Sequence, residues 1–428
     1  MSVEARIHKA HRLQGTPPVP GDKSLSHRAL LISALAQGDT EISGLSAGDD
    51  VANTLRCVRA LGVDIRLNGQ SAVVHGVGLQ GLKAPAGPLD CGNSGSTMRM
   101  LMGVLAAQAF PSVMVGDASL SRRPMGRVAA PLCRMGARIE LAEGKHAPVR
   151  VSGARGLAPI DFDLQVASGQ VKSAILLAAL YANGTTRLTG QIGSRDHTER
   201  LLRHLGVQVE VTPQAISLHG GQALHAAAIP IPGDPSAAAF WLAAALLVAD
   251  GRVSLSNVLL NPTRTGLLRV LRRMGAAIDE RRLADDPEPS GDLQCRAGPL
   301  VGVSVGADEV PSMIDELPVL AVIATQAQGT TEVRGASELR VKETDRIDAI
   351  AVNLRRMGGV IDTFADGFRI QGPQKLTGAN VDSFGDHRIA MAFAMAGLAA
   401  EGETRIRNAE SVSISHPGFF ETLEELVR

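Results

Sequence analysis

The sequence predicts an α/β protein of two similar domains, and three observations lead to that prediction. A short pattern recurs along the chain, each copy combines helices with strands, and two proline-rich junctions divide the copies into halves. At 428 residues the chain is also longer than one hydrophobic core usually supports.

The first recurring element is Leu-Gly or Met-Gly at the end of an amphipathic helix. In the fourth copy, leucines and arginines fall on opposite faces of that helix. The glycine is placed as a helix C-cap that leads into a strand. The five copies begin at Leu61, Met135, Leu205, Met274 and Met357.

The second recurring element is a nearly all-apolar helix that ends at glycine and continues into a β-branched strand. Examples are "LAQGDTEI", "LYANGTTRL", "LVADGRVSL", "TQAQGTTEV" and "LAAEGETRI". With the variant after "GVLAAQAFPSVMV" there are six units, each with a buried helix, a surface helix and several strands. The sixth unit lacks its final strand, because the sequence stops at "FFETLEELVR".

Proline-rich junctions at 16–21 and 228–235 divide the six units into three and three. Proline disfavours continued regular structure and suits a crossover. We expect residues 21–229 to form an inserted N-terminal-half domain, and residues 1–20 with 230–428 to form the C-terminal-half domain. The active site is expected in the cleft between them, and the cleft is expected to close on ligand.

Composition excludes several classes of partner. The zero net charge argues against nucleic acid or an anionic membrane, and one Trp with one Tyr leaves few platforms for stacking bases. Four cysteines without Cys-x-x-Cys spacing indicate reduced thiols and a cytoplasmic location. The run "SAAAFWLAAALLVADG" favours a core helix over a membrane span, and "MSVEARIHKAHRLQG" has no signal-peptide core.

Polar residues stand at the starts of the apolar helices, in "GDKSLSHR", "GNSGSTMR", "ASGQVKS", "IDELP" and "GDHRIA". Helix N-termini offer free N–H groups and about half a positive charge, so they suit anions. The first stretch is not a P-loop, because Asp22 stands where that motif needs its second glycine. Ordinary N-capping by Asp22 or Ser24 is the alternative interpretation of that stretch.

Eight cations lie beside glycine- or serine-rich turns. One such cation alone is more often part of a surface ion pair. The whole set, in a chain of zero net charge, predicts a site for phosphates or carboxylates. Its members are Lys23, Arg28, Arg99, Arg123, Arg195, Lys342, Arg346 and Arg388.

Acidic residues stand among these cations, Asp315 and Glu316 in "MIDELP" and Glu343 and Asp345 in "KETD". A carboxylate among cations stays ionised and can accept a proton from a hydroxyl, and Lys342 beside Glu343 offers an acid and a base in one loop. Simple helix capping is the alternative role for Asp315. No HxxxH, GxSxG or Cys/His metal set occurs, so we expect neither a metal nor an acyl-enzyme.

Eight stretches in order resemble the 5-enolpyruvylshikimate-3-phosphate synthases over essentially the whole chain. They are "PGDKSLSHR", "GNSGSTMR", "RRPMGR", "SGQVKSA", "SRDHTE", "DELP", "RVKETDR" and "GDHR". The resemblance implies two domains of three βαβαββ units each, with buried parallel helices. It also implies a cytoplasmic enzyme without a cofactor, expected to be a monomer, in the shikimate pathway to chorismate. Such an enzyme transfers the enolpyruvyl group of phosphoenolpyruvate to the 5-hydroxyl of shikimate 3-phosphate and releases phosphate.

The resemblance also implies roles for individual residues. Asp315 takes the proton of the 5-hydroxyl with Lys342 beside it, Glu343 delivers a proton to the methylene carbon, and Lys23 contacts both substrates. Phosphoenolpyruvate is held by Lys23, Gly95, Arg123, Gln170, Arg346 and Arg388. Shikimate 3-phosphate is held by Lys23, Ser24, Arg28, Ser168, Gln170, Arg195, Asp315 and Lys342.

Two departures from the family pattern accompany the resemblance. Many members carry a lysine in the last loop that reaches phosphoenolpyruvate, whereas "SVSISHPGFF" has none. Gly169 stands where many members have serine. The stretches "NSGSTMRM" and "SRDHTE" are similar to the class II branch, in which Arg195 would serve the shikimate phosphate. The herbicide glyphosate is an expected inhibitor at the phosphoenolpyruvate site, beside Gly95.

Two other functions are considered. A UDP-N-acetylglucosamine enolpyruvyltransferase shares the fold but uses a cysteine in the loop matching "GDASLSRRPM", where this chain has none. A non-catalytic anion sensor would not need to keep Asp315, Lys342 and Glu343.

Overall fold

Each repeat forms a small sheet with one buried and one surface helix, or a variant of that arrangement. The computed structural model describes residues 3–154 and 156–428, so the first two positions of the expected 1–20 segment lie outside the described residues. The chain divides into two compact units. The N-terminal unit comprises Gly21–Ile231 and Asp286–Glu288, and the C-terminal unit comprises Met1–Pro20, Pro232–Asp285 and Pro289–Arg428.

The strands of the described residues, in chain order, are β1 (Glu4–His8), β2 (Arg12–Gly15), β3 (Gln37–Ser43), β4 (Asp64–Asn68), β5 (Ser71–Val77), β6 (Leu89–Asp90), β7 (Ser112–Val115), β8 (Ile139–Ala142), β9 (His146–Val151), β10 (Asp161–Leu164), β11 (Thr185–Gly190), β12 (Val209–Val211), β13 (Ile216–His219), β14 (Ile229–Pro230), β15 (Asp250–Leu259), β16 (Ala277–Ala284), β17 (Ser290–Arg296), β18 (Ser304–Val305), β19 (Gly329–Val333), β20 (Asp362–Phe364), β21 (Gly367–Gly372), β22 (Asn380–Asp382) and β23 (Glu403–Arg407).

The α-helices of the described residues are α1 (Lys23–Ala34), α2 (Asp49–Ala60), α3 (Gly95–Leu105), α4 (Gly126–Arg134), α5 (Gly169–Ala179), α6 (His197–His204), α7 (Pro235–Leu247), α8 (Gly266–Arg273), α9 (Leu317–Ala324), α10 (Arg346–Arg356), α11 (His387–Ala399) and α12 (Phe419–Val427).

One strand order recurs from sheet to sheet. In the second repeat β6 pairs parallel with β7, β7 pairs antiparallel with β9, and β9 pairs antiparallel with β8. The sheets of β10 to β13 and of β18 to β21 have the same order. The order of elements is βαβαββ, so the predicted fold class is confirmed.

Strands from distant parts of the chain complete three of the sheets. β14 pairs parallel with β3, β2 pairs parallel with β15, and β1 pairs antiparallel with β23. In the last repeat β1 therefore takes the place that β9 holds beside β7, and the three-stranded sheet of the described residues has no counterpart of β8, the strand that follows Met-Gly. The observed division differs from the expected one at two places. Residue 230, the last of β14, and residue 231 belong to the N-terminal unit rather than to the C-terminal one, and so does Asp286–Glu288.

Local chemistry determines where the helices begin and end. Asp22 Oδ1 accepts from Leu25 N at 2.7 Å, so Asp22 is the N-cap of α1. Ser94, Ser168, Asp234 and Asp386 cap α3, α5, α7 and α11 in the same way. The surface helices are followed by glycines with positive φ, which confirms the predicted C-caps at Gly62, Gly136, Gly206, Gly275 and Gly358.

Each unit contains its own hydrophobic core around its apolar helices. Phe240 and Trp241 of α7 are fully buried in the C-terminal unit, as predicted for a core helix, and burial of each such side chain contributes roughly 2 kcal/mol or more. No helix in the described part of the chain combines the length and the apolarity needed to span a membrane.

Candidate active site

The first cluster of predicted site residues lies where α1 begins, in the N-terminal unit. Lys23 Nζ donates to Asp50 Oδ2 at 3.0 Å, and Asp50 stands in the first turn of α2. Arg28 is buried, with 3% of its surface exposed. Neutral oxygens hold its guanidinium, namely Ser24 O (2.8 Å), Ser173 Oγ (2.8 Å), Thr198 Oγ1 (2.9 Å) and Gly169 O (3.3 Å).

Arg195 and the start of α5 belong to the same corner. Arg195 Nη1 donates to Ser24 Oγ at 2.5 Å, and Ser168 Oγ accepts from Val171 N at 3.4 Å. The carbonyl of Gly169, which follows Ser168, accepts from Arg28. Four of the residues predicted to hold one anion are therefore brought together: Ser24, Arg28, Ser168 and Arg195.

Gln170 connects α5 to α3. Its Oε1 accepts from Arg99 Nη1 at 2.7 Å, and its Nε2 donates to Ser96 Oγ at 2.9 Å. A methyl group added to Gly95 would lie 2.9 Å from Arg99 Nη1 and 3.5 Å from Arg123 Nη1. The backbone at the start of α3 thus faces two guanidinium groups, and a helix N-terminus with two cations is a second anion site.

Arg123 is held by the loop that precedes α3. Its Nη1 donates to Asn93 O at 3.2 Å, and its Nη2 donates to Asn93 Oδ1 at 2.6 Å and Ser119 Oγ at 3.1 Å. These oxygens orient the guanidinium without cancelling its charge.

In the C-terminal unit, Asp315 lies among cations. It stands in a 3₁₀ turn, Ile314–Glu316, directly before α9. Its Oδ1 lies 3.1 Å from Arg346 Nη1 and 3.9 Å from Lys342 Nζ, and its Oδ2 lies 3.6 Å from Arg388 Nη2. The N-cap residue of α9 is Glu316 rather than Asp315, and the Glu316 side chain makes no capping bond.

Arg346 is the most buried cation of this second cluster, with 1% of its surface exposed. Its Nε lies 2.7 Å from Asp386 Oδ2, and its Nη2 donates to Glu343 Oε2 at 2.8 Å. Burial alone would lower the pKa of Arg346, but Asp386, Glu343 and Asp315 outweigh it and raise that pKa. Asp386 also accepts from the backbone N of Arg388 at 2.8 Å, so one carboxylate fixes both arginines.

Glu316, the neighbour of Asp315, is buried beneath this cluster. Ser236 Oγ donates to it, and Arg388 Nη1 lies 3.8 Å from its Oε1. Burial raises the pKa of Glu316, Arg388 opposes that effect, and the charge of Asp315 adds to it. Two neighbouring carboxyl groups of the chain therefore have different surroundings, Asp315 among three cations and Glu316 buried beside Ser236.

Metal-capable side chains come together once in the described part of the chain, as Asp196, His197 and Glu288. His197 Nδ1 lies 2.7 Å from Glu288 Oε1, while Arg200 Nε lies 2.9 Å from Asp196 Oδ2 and 3.9 Å from Glu288 Oε2. Because a guanidinium already balances both carboxylates, this group is an ion-pair network. The sequence motifs did not indicate it, since Glu288 is 91 residues from His197.

Comparison with known proteins decides the family. The family model for EPSP synthase (3-phosphoshikimate 1-carboxyvinyltransferase) matches residues 7–423. The chain belongs to the EPSP synthase family. The predicted resemblance is thereby confirmed.

Individual members of the EPSP synthase family cover nearly the whole chain. The 3-phosphoshikimate 1-carboxyvinyltransferase of Synechococcus sp. is 50% identical over 98% of this chain and 96% of that protein. The enzyme of the same name from Shouchella clausii is 49% identical over 97% and 96%. A solved structure of EPSP synthase from Acinetobacter baumannii is 42% identical, with a TM-score of 0.89 over 100% of this chain and 98% of that one.

The enolpyruvyl transferase NikO from Streptomyces tendae shares the fold, with 20% identity and a TM-score of 0.79 over 99% of this chain and 97% of that one.

The departures from the family pattern have local structural consequences. A methyl group at Gly169 would lie 3.3 Å from Arg195 Cβ and 3.7 Å from Arg28 Nη2, so glycine leaves space for Arg195. In the last loop, the buried ring of His416 packs edge-on against Trp241 and near Phe419. The loop that lacks the lysine is thus anchored by aromatic packing within the C-terminal unit.

Several residues of this EPSP synthase site were missed in the sequence because they act through other residues. Asp50 and Asp386 hold predicted cations; Asp386 stands inside the stretch "GDHR", and that position is the signal that could have identified it. Ser173 and Thr198, which hold Arg28, also stand inside quoted stretches, "SGQVKSA" and "SRDHTE", but serine and threonine are too common for their type alone to indicate a role. The missed residues are Asp50, Asn93, Ser96, Ser173, Thr198 and Asp386.

Proposed function

We propose that this chain catalyses the reaction of its family. It transfers the enolpyruvyl group of phosphoenolpyruvate to the 5-hydroxyl of shikimate 3-phosphate and releases phosphate. The observation that carries the proposal is the carboxylate of Asp315, which lies 3.1 to 3.9 Å from the cations of Arg346, Arg388 and Lys342. This is a proton acceptor placed beside the charges that an anionic reactant requires.

The N-terminal unit supplies most of the anion binding. Ser24, Arg28, Ser168 and Arg195 hold shikimate 3-phosphate, since they share one corner around the starts of α1 and α5. Gly95 and Arg123 hold phosphoenolpyruvate at the start of α3. Gln170 contacts both substrates, because it already connects α3 with α5, and Lys23 also contacts both.

The C-terminal unit supplies the acid–base chemistry. Asp315 accepts the proton of the 5-hydroxyl, the oxygen bonds to C2 of phosphoenolpyruvate, and Glu343 gives a proton to the methylene carbon. This forms a tetrahedral adduct. The adduct then loses phosphate and one methyl proton, which restores the double bond as an enol ether. Lys342 lies beside the reacting hydroxyl, while Arg346 and Arg388 hold the carboxylate and phosphate of phosphoenolpyruvate.

The proposed reaction requires residues of both units on one pair of substrates. Each substrate carries a phosphate and a carboxylate, so binding must offset their mutual repulsion at short range. We therefore expect binding of both substrates to exclude water from the adduct.

The test is coupled release of inorganic phosphate when shikimate 3-phosphate and phosphoenolpyruvate are mixed with the protein. We expect turnover only when both are present. Release with UDP-N-acetylglucosamine in place of shikimate 3-phosphate would favour the sister enzyme. Binding of both compounds, measured by calorimetry, without phosphate release would favour the anion sensor.

Two finer statements accompany this proposal. Glyphosate, an anion that carries a phosphonate and a carboxylate, competes with phosphoenolpyruvate for Gly95, Arg123, Arg346 and Arg388. The enzyme works as a monomer, as the family resemblance implies. Analytical ultracentrifugation at assay concentration tests the second statement, and activity confined to a dimer peak would contradict it.

A further inference from the structure

Lys172 is a buried cation that the proposed reaction does not use. It lies in the second turn of α5, and 1% of its side chain is exposed. A lysine ammonium has three donors. They meet three acceptors here, Glu199 Oε1 at 2.7 Å, Ser194 O at 3.1 Å and Ile192 O at 3.2 Å.

Two of these acceptors belong to the segment that leads into Arg195. The carbonyl oxygens of Ile192 and Ser194 both point to Lys172 Nζ, and Arg195 follows immediately in the chain. The third acceptor, Glu199, lies in α6 just after that segment. Lys172 thus fixes the backbone before Arg195 and contacts a side chain of the helix after it, while the guanidinium of Arg195 itself donates to Ser24 Oγ at 2.5 Å.

Gly169 provides independent support for a role of α5 in positioning Arg195, because it lies directly against the Arg195 side chain. The position that a Cβ would take at residue 169 lies 3.3 Å from Arg195 Cβ. Within one turn of α5, Gly169 therefore leaves space for the Arg195 side chain, and the ammonium of Lys172 holds the loop that contains Arg195.

Stability alone is a weak reason to bury such a pair. Removing two charges from water costs several kcal/mol, and replacing a buried ion pair by apolar groups is often neutral or stabilising. Here Glu199 Oε2 is also buried without a hydrogen-bond partner, which adds to the cost. What the pair provides is a fixed position for the segment before Arg195.

We propose that Lys172 is a positioning residue for shikimate 3-phosphate binding, which acts by holding the Arg195 segment through Ile192 O and Ser194 O. The inference rests on the proposed function, because it takes Arg195 to be a contact of that substrate.

The experiment measures kcat and both KM values for the wild type and four variants: Lys172→Met, Glu199→Gln, Arg195→Ala and the Lys172→Met/Arg195→Ala double variant. A displaced Arg195 weakens binding of one substrate in ground and transition states alike. We therefore expect Lys172→Met to raise KM for shikimate 3-phosphate on the order of tenfold, with KM for phosphoenolpyruvate and kcat changed less than about twofold. Glu199→Gln should act in the same direction, but more weakly.

The double variant distinguishes positioning from general loss of structure. If Lys172 acts through Arg195, Lys172→Met adds little once Arg195 is alanine. Equal changes in both KM values, or a full additional effect in the Arg195→Ala background, would overturn the inference. Arg203→Met is the matched control, since Arg203 also holds a backbone carbonyl, that of Val209, and lies in α6, the helix that carries Glu199. We expect it to leave both KM values unchanged.

Three further outcomes separate a failure of the inference from a failure of the proposed role of Arg195. If Lys172→Met does not fold, Glu199→Gln decides, and an unchanged KM for shikimate 3-phosphate in that variant overturns the inference. If Arg195→Ala itself leaves that KM unchanged, the proposed role of Arg195 is what fails. If Arg195→Ala raises it and Lys172→Met does not, only the inference fails.

Discussion

The two units hold their arginines in different ways. In the N-terminal unit, carbonyl and hydroxyl oxygens hold Arg28 and Arg123. In the C-terminal unit, carboxylates hold Arg346 and Arg388. A neutral oxygen orients a cation and leaves its charge for a ligand, whereas a carboxylate beside a cation can also exchange protons. Carboxylates do hold other cations of the N-terminal unit, since Lys23 pairs with Asp50, and Arg200 pairs with Asp196 and Glu288. The comparison therefore applies to the arginines of the predicted site, and it agrees with the proposal that the N-terminal unit mainly binds anions and the C-terminal unit mainly moves protons.

The strongest test of this division removes the proposed base. Asp315→Ala should lower kcat by a factor on the order of 10² to 10⁴, as expected for loss of a general base, while substrate binding stays within about tenfold. Coupled phosphate release gives kcat, and calorimetry gives binding. The matched control is Glu332→Gln, which alters an exposed carboxylate of the same unit that is also paired with arginines. Near-normal turnover of Asp315→Ala would remove Asp315 from the mechanism.

The second prediction compares what holds an arginine in each unit. Asp386→Asn keeps the shape of a fully buried carboxylate but removes its charge from Arg346, so we expect a loss of about 3 kcal/mol in the free energy of unfolding. Ser173→Ala removes one neutral acceptor from Arg28 and should cost about 1 kcal/mol. Urea denaturation of both variants measures the difference. Equal losses of unfolding free energy in the two variants would contradict the distinction between an arginine held by a carboxylate and one held by neutral oxygens.

The third prediction uses one buried histidine in each unit. Burial lowers the pKa of His416 to about 4, although Asp234 raises it in part. Burial also lowers the pKa of His27, and Lys23 and Arg28 lower it further. In both cases the unfolded chain binds the proton first, near pH 6.5, so the contribution to stability is complete above that pH and is lost as the pH falls.

For His416 the loss extends from about pH 6.5 to about 4 and amounts to roughly 3 kcal/mol. Urea denaturation across this pH range measures how the free energy of unfolding depends on pH. The slope of that dependence reports the number of protons taken up on unfolding, and we expect it to be smaller in His416→Leu than in the wild type by the equivalent of about one proton. Parallel pH profiles would show that His416 is not the group responsible.

The sequence predicted the fold well where one residue determines local geometry. A glycine at a positive φ directly follows Leu or Met at the end of five surface helices, so the five Leu-Gly and Met-Gly copies located those helices and the strands after them. Strands that pair across long distances were not predictable in this way. β14 lies nearly 200 residues from β3, and its two residues carry no pattern of their own, which is why the expected boundary fell at 229.

For the candidate site, too, the sequence did not predict contacts between residues that are far apart in the chain. The cations were predicted as a set, because several apolar helices begin beside a cation in a chain of zero net charge, and the role of Asp315 came from the family resemblance. The partners that hold them, such as Asp386, Ser173 and Lys172, were not predicted as such. Their role depends on which side chains meet in space, and one sequence does not contain that information.

The last prediction concerns Gly95, where the N-terminal unit presents backbone to an anion. A methyl group there would lie 2.9 Å from Arg99 Nη1, the mobile end of a long side chain, so the fold can accommodate it by a small shift of that guanidinium. The same methyl narrows the space beside Arg123, 3.5 Å away, where we place phosphoenolpyruvate and glyphosate. Glyphosate is the longer of the two, so Gly95→Ala should raise its inhibition constant on the order of tenfold or more, and change KM for phosphoenolpyruvate less. The neighbouring Met100 is fully buried within α3 and stays unchanged in this test.

Gly87→Ala is the matched control, since nothing lies within 4 Å of the methyl group it would add. Inhibition assays on the wild type and both variants decide the matter, and equal glyphosate sensitivity of wild type and Gly95→Ala would refute the steric argument.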